Sequence, residues 1–231
     1  MTVFATLLAA FTVRDAAALA ALIGALLAVE VLLHPRVLGP RSAGEMMSRW
    51  RERWFLEAAR RENRNRILDT NLLNGLRAAI AFYISGALLA LGGAIAFIGQ
   101  TDQLAMVAQD LAVIEQANRA KWIVKLLVVV ALLIVAFLEF VWAHRIFGYC
   151  AVLLGAIPDR GDDGEAVARR GARLNILASR HFNRGLRAMY FSLTAMAWLV
   201  GPWVLMGATA FTTWIMLRRE FFSETRAALQ D

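Results

Sequence analysis

Asn74-Gly75-Leu76-Arg77-Ala78 is written a second time as Asn183-Arg184-Gly185-Leu186-Arg187-Ala188, with one extra arginine. Upstream, one ungapped offset keeps the two copies in register. Ile67-Leu68 falls on Ile176-Leu177, Thr70 on Ser179, Arg60-Arg61 on Arg169-Arg170 and Arg64 on Arg173. Further out, Arg36-Val37-Leu38-Gly39 falls on Arg145-Ile146-Phe147-Gly148, and Glu30 on Glu139. The chain therefore reads as one unit written twice: an apolar helix, an arginine-rich segment and a second apolar helix.

Four apolar runs carry this pattern: 16–33, 78–99, 122–143 and 188–217. About 20 helical residues cross a hydrocarbon core of about 30 Å. Backbone groups in lipid must pair within their own segment, so such runs should be helices. With 59% hydrophobic residues and a mean hydropathy of +0.55, an aqueous globular fold is disfavoured. The expected architecture is an all-α integral membrane protein, a single membrane domain over 1–231. Four transmembrane helices form two parallel helical-hairpin repeats, 16–99 and 122–217, with basic amphipathic cytoplasmic helices. Met1–Thr12 is apolar without a basic start, unlike a cleaved signal peptide, and is expected to stay. The single cysteine, Cys150, has no internal disulfide partner and is expected to be a packed thiol.

Arginine is concentrated in the segments after the first and third runs, whereas the segment between the second and third carries only Arg119 and Lys121. Basic loops stay in the cytoplasm. This orientation puts both termini in the periplasm of a bacterial inner (cytoplasmic) membrane; Arg218 and Arg219 argue the other way. The net charge of +7 suits anionic lipid headgroups, and no nucleic-acid motif accompanies it.

Past Pro35, Gly39 and Pro40 a helical pattern begins near Ala43, with Met47, Trp50, Trp54 and Ala58 as one apolar stripe. Such a stripe opposite Arg49, Arg53 and Arg60 suits either the membrane interface or packing against the other repeat. If helical throughout, 122–157 would be about 54 Å long, so it should project from the bilayer or bend near Gly148. A turn over 158–164 should start a helix near Glu165. Leu104, Val107, Leu111 and Ile114 suggest a short amphipathic helix.

Glu30 and Glu139 are carboxylates inside apolar runs, at equivalent repeat positions. Such groups face a partner or a water-filled cavity. They either line a cation or proton path, or pair with arginines at the span ends: Arg36, Arg77, Arg145 or Arg187. Six residues separate Glu30 from Arg36 and place them on different helix faces, so pairing between helices is easier. Lys125 is expected to snorkel to the interface. His181 is expected to be solvated or near headgroups, and Asn74 and Asn183 to cap the second and fourth spans. Gly201-Pro202 should kink the fourth run and offers a hinge. No Glu-x-x-His pair, zinc spacing or catalytic constellation is present, so no metal, cofactor or enzymatic activity is expected.

Phe182-Asn183-Arg184-Gly185-Leu186-Arg187-Ala188-Met189-Tyr190-Phe191, Ala197-Trp198-Leu199-Val200-Gly201-Pro202-Trp203 and the closing Arg218-Arg219-Glu220-Phe221-Phe222-Ser223 resemble the DUF599 family of bacterial and plant membrane proteins. The resemblance implies a multi-span protein and supplies no substrate, cofactor or catalytic residue. The expected function is an oligomeric inner-membrane channel or transporter for a small ion or solute, with Glu30 and Glu139 on the path. Its partners would be anionic lipid headgroups and further copies of the chain. The alternative is a non-enzymatic accessory or scaffold subunit docked on another membrane protein.

Overall fold

The computed structural model describes residues 11–34, 37, 42–60, 66–101, 119–158 and 163–229. Among these residues seven α-helices follow in order: α1 Val13–Leu32, α2 Ala43–Arg60, α3 Arg66–Gly99, α4 Arg119–Gly155, α5 Gly164–Met196, α6 Pro202–Phe221 and α7 Glu224–Ala228. A 3-10 turn, Ala197–Leu199, sits between α5 and α6. Among the described residues there is no strand.

Local chemistry sets several helix starts. The Thr12 amide donates to Asp15 Oδ2 at 3.1 Å, and the Asp15 amide donates back to Thr12 Oγ1 at 3.3 Å. This reciprocal capping box satisfies two amide donors that the first turn of α1 would leave orphaned. At α2 the Glu45 amide donates to Ser42 Oγ, and at α7 the Arg226 amide donates to Ser223 Oγ. α3 and α5 begin well before the apolar runs they carry, so Asn74 and Asn183 lie inside helices and cap nothing. The basic segments continue the 3.6-residue periodicity and need no new start there. α4 runs unbroken through Gly148, 37 residues or about 55 Å.

α1, α3 and α4 are long and apolar enough to cross a membrane. Only 17% of the most apolar window of α3 is buried within the chain. A helix that is apolar all round yet unburied by its own protein suits lipid or a partner. The fourth apolar run, 188–217, is divided between the end of α5, the 3-10 turn and α6.

The chain packs as two units, each drawing on both sequence copies. One comprises Met1–Leu32, Ala87–Ala136 and Leu186–Arg219; its core includes Leu22, Leu126, Phe191, Trp198 and Leu205. The other comprises Leu33–Gly86, Phe137–Gly185 and Glu220–Asp231; its core includes Phe55, Leu73, Phe140, Phe147 and Cys150. In this second unit α2 packs through only part of the expected stripe: Ala58 is buried and Trp54 half-buried. Met47 and Trp50 are exposed, and the buried face is Ser48, Phe55 and Ala58. The reason is Gly171, where a Cβ would lie 2.5 Å from the Phe55 ring. The absent side chain leaves the slot that Phe55 fills.

The Leu104–Ile114 helix, Pro35, Arg36, Gly39 and Pro40 lie outside the described residues.

Candidate functional site

The first unit concentrates polar chemistry where its last apolar run is interrupted. In a continuous helix the Pro202 nitrogen would donate to the Trp198 carbonyl, four residues back. Proline has no such donor. α6 therefore restarts with Pro202 in its first turn, a position that tolerates proline, and the helix is broken rather than kinked. The orphaned Trp198 carbonyl is satisfied by Lys125 on α4, whose Nζ donates to it at 2.6 Å. Lys125 is 5% exposed and does not snorkel. An ammonium replaces the missing amide hydrogen.

The same tryptophan reaches a second helix. Trp198 Nε1 donates to Asp15 Oδ1 at 3.0 Å, and Lys121 Nζ sits 2.8 Å from Asp15 Oδ2. Asp15 is wholly buried. Lys121 and Lys125 are one turn apart on α4, so both ammoniums face this region. Losing one partner of such a pair costs about 3–5 kcal/mol, because the other charge stays buried without compensation. Neither Asp15 nor Trp198 stands out as a site residue in the sequence. The available signals were the Thr12-x-x-Asp15 box and the position of Trp198 four residues before a proline.

Glu30 also belongs to the first unit. Arg187 on α5 donates from Nε to Glu30 Oε1 at 2.6 Å and from Nη2 to Oε2 at 3.1 Å. This is a two-pronged clamp between α1 and α5, the strongest geometry for a carboxylate–guanidinium pair.

In the second unit, Glu139 meets His181 instead, with Oε2 2.6 Å from Nδ1. His181 is thus engaged by a carboxylate and packs edge-on against Trp142, rather than being solvated. Arg77, the repeat counterpart of Arg187, has a buried Nε with no hydrogen-bond partner among the described residues. Arg145 donates to the Tyr149 hydroxyl at 2.6 Å and lies over the rings of Trp142 and Tyr149. Gly185 lets the Phe140 ring approach: a Cβ there would lie 2.6 Å from it. Phe140 in turn packs at a tilt against Tyr83 and Phe182.

A second group missed from the sequence lies on α2 and α5. Arg51 Nη1 donates to Asn175 Oδ1 at 2.6 Å, and the guanidinium faces the Phe147 ring. Burial pushes the Arg51 pKa below its usual range, with Cys150 acting against the shift. Arginine starts so high that it stays charged regardless. Nearby Trp54 Nε1 donates to the buried Asp69 at 2.6 Å.

Among the described residues no three histidine, cysteine, aspartate or glutamate side chains converge as metal ligands. No curated protein and no solved structure matches the chain. A family model described as "Protein of unknown function, DUF599" matches residues 15–225, from the buried Asp15 to past the end of α6, and the chain belongs to that family.

Proposed function

We propose that the protein is an oligomeric channel or transporter of the inner membrane for a small ion or solute. It would cross the bilayer four times as two like-oriented hairpins, with the broken α5–α6 run as the fourth crossing. Its arginine-rich segments would lie inside and its termini in the periplasm. The observation that carries this reading is the Lys125–Trp198 contact at the helix break. Non-helical backbone at membrane depth persists only where protein or a wetted cavity satisfies it. Intramembrane ionisable groups mark ion and substrate routes by default. Discontinuous helices build the midplane sites of many repeat-built transporters. Here the break, two lysines and a buried aspartate coincide in one unit. Oligomerisation is favoured by the open space around Gly86, Gly92 and Gly93 of α3, where another helix can approach closely.

The test is flux in proteoliposomes, with Lys125→Met and Asp15→Asn compared with wild type. At least tenfold slower flux is expected from either variant, with unchanged elution in detergent. Wild-type liposomes without flux for any small ion, or variants that conduct normally, would end this reading. Reporters fused after Gly99 and after Asp231 should both register periplasmic.

One observation favours the accessory-subunit reading. Glu30 and Glu139 each engage a basic side chain of their own chain, leaving the route without the open carboxylates first expected of it. A stable membrane-protein partner in mild detergent, with no flux in its absence, would select that alternative.

A further inference from the structure

The acids of α2 leave two of its arginines uncompensated. Glu45, one turn before Arg49, pairs with Arg180 on α5 at 3.3 Å, and Glu52 lies 3.8 Å from Arg169 on the same helix. Glu57, one turn after Arg53, makes no ion pair with it. Four-residue spacing would have allowed both pairs within α2. Among the described residues neither Arg49 nor Arg53 has a hydrogen bond or ion pair, and Arg53 lies over the Trp50 ring, 5.2 Å from its centre. Both arginines are exposed.

The two open onto one pocket of the second unit. It has a volume of about 350 Å³ and is lined by Met46, Arg49, Trp50, Arg53 and, just past α7, Leu229. No carboxylate lines it among the described residues. Its chemistry is a pair of cations beside an apolar wall of Met46, Trp50 and Leu229. Guanidinium forks match phosphate oxygens. Inorganic phosphate would leave the apolar wall unused, whereas a phosphate joined to an apolar body uses both. The place in the fold agrees. The Gly44 amide, at the start of α2, donates to Glu220 Oε1 at 2.9 Å, and Glu220 stands just past the apolar run that ends at Leu217. α2 is thereby tied to the end of that run, where a crossing would meet headgroups. Met47, Trp50 and Phe222 are exposed, and tryptophan is enriched at headgroup level.

We propose that Arg49, Arg53 and Trp50 form a headgroup site for an anionic phospholipid. The phosphodiester accepts from the two guanidiniums, and the glycerol and first acyl carbons lie on Met46, Trp50 and Leu229. A choline headgroup brings its own cation towards the arginines and binds less well. The site rests on reading the broken α5–α6 run as a crossing, which the reporters after Gly99 and Asp231 test separately. It does not depend on transport.

Native mass spectrometry of the detergent-solubilised protein, offered equal amounts of phosphatidylglycerol and phosphatidylcholine, reads the site directly. Wild type is expected to retain phosphatidylglycerol in preference by about fivefold or more. Arg49→Gln combined with Arg53→Gln should bring that ratio below about twofold. Either single variant should fall between the two and serves if the double variant fails to fold. Arg170→Gln combined with Arg173→Gln removes the same charge from exposed positions of α5 and should keep the wild-type ratio. A ratio unmoved by the Arg49 and Arg53 variants, or lowered as far by the α5 control, would overturn the proposal. Inorganic phosphate that displaced the lipid at equal concentration would also overturn it, making the occupant a soluble anion. Wild type without preference would overturn it too, and an oligomer dissociated by the double variant would then give this face to a second copy.

Discussion

Glu30 and Glu139 hold the same register in the sequence repeat, yet their surroundings differ in chemistry. Glu30 meets an arginine in a two-pronged clamp, and Glu139 meets a histidine through one contact. The repeat would have matched Glu139 with Arg77 as Glu30 is matched with Arg187. The difference begins beside the second copy of Gly-Leu-Arg-Ala. Gly185 admits the Phe140 ring, whereas Gly75 has nothing within 4 Å of where a Cβ would be. Position 140 in the second copy is phenylalanine and its counterpart, Val31, is smaller. Two matching stretches of sequence thus carry acids in different packing, with a phenylalanine ring seated on the glycine of one stretch and open space at the glycine of the other.

The largest expected effect comes from breaking the stronger clamp. Arg187→Met should destabilise the protein by about 3 kcal/mol in mixed-micelle unfolding, the low end for removing one partner of a buried ion pair. That end applies because Glu30 keeps 29% of its side-chain surface accessible. Adding Glu30→Gln should recover most of the loss, and failure to do so would mean the pair is not what Arg187 contributes.

Next comes the glycine contrast. Gly185→Ala should cost about 1–3 kcal/mol, since the buried Phe140 ring would have to shift. Gly75→Ala should instead be neutral or stabilise by up to about 1 kcal/mol, because alanine suits a helix interior better than glycine. A destabilising Gly75→Ala would place an unseen neighbour against that face, as an oligomer would.

His181→Gln keeps a hydrogen-bond donor for Glu139 and should cost about 1 kcal/mol. The smallest effect belongs to Arg77→Met, expected within about 0.5 kcal/mol of wild type or slightly stabilising, because a buried unbonded nitrogen is removed. A loss comparable with that of Arg187→Met would show that Arg77 does serve Glu139, and the two copies would then be alike.

Residue patterns announced the helices, because apolar periodicity and runs of membrane length are properties of a short stretch of chain. Two acids inside those runs were equally legible, since a charge amid aliphatic side chains stands out in any alignment. Their partners were not. His181 and Arg187 come from a distant helix, and adjacent turns of α5 offer several cations whose reach depends on packing. Lys125 shows the same division. Its place in an apolar run is written in the primary structure, but its use as a substitute donor for Pro202 arises only once α4 lies beside the broken backbone. Arg51 and Asn175 had no local signature at all: a cation on an amphipathic helix reads as solvated until packing brings a partner from another helix. Local periodicity and composition are properties of the chain itself, whereas charge compensation is decided by which side chains the folded packing brings within about 3 Å.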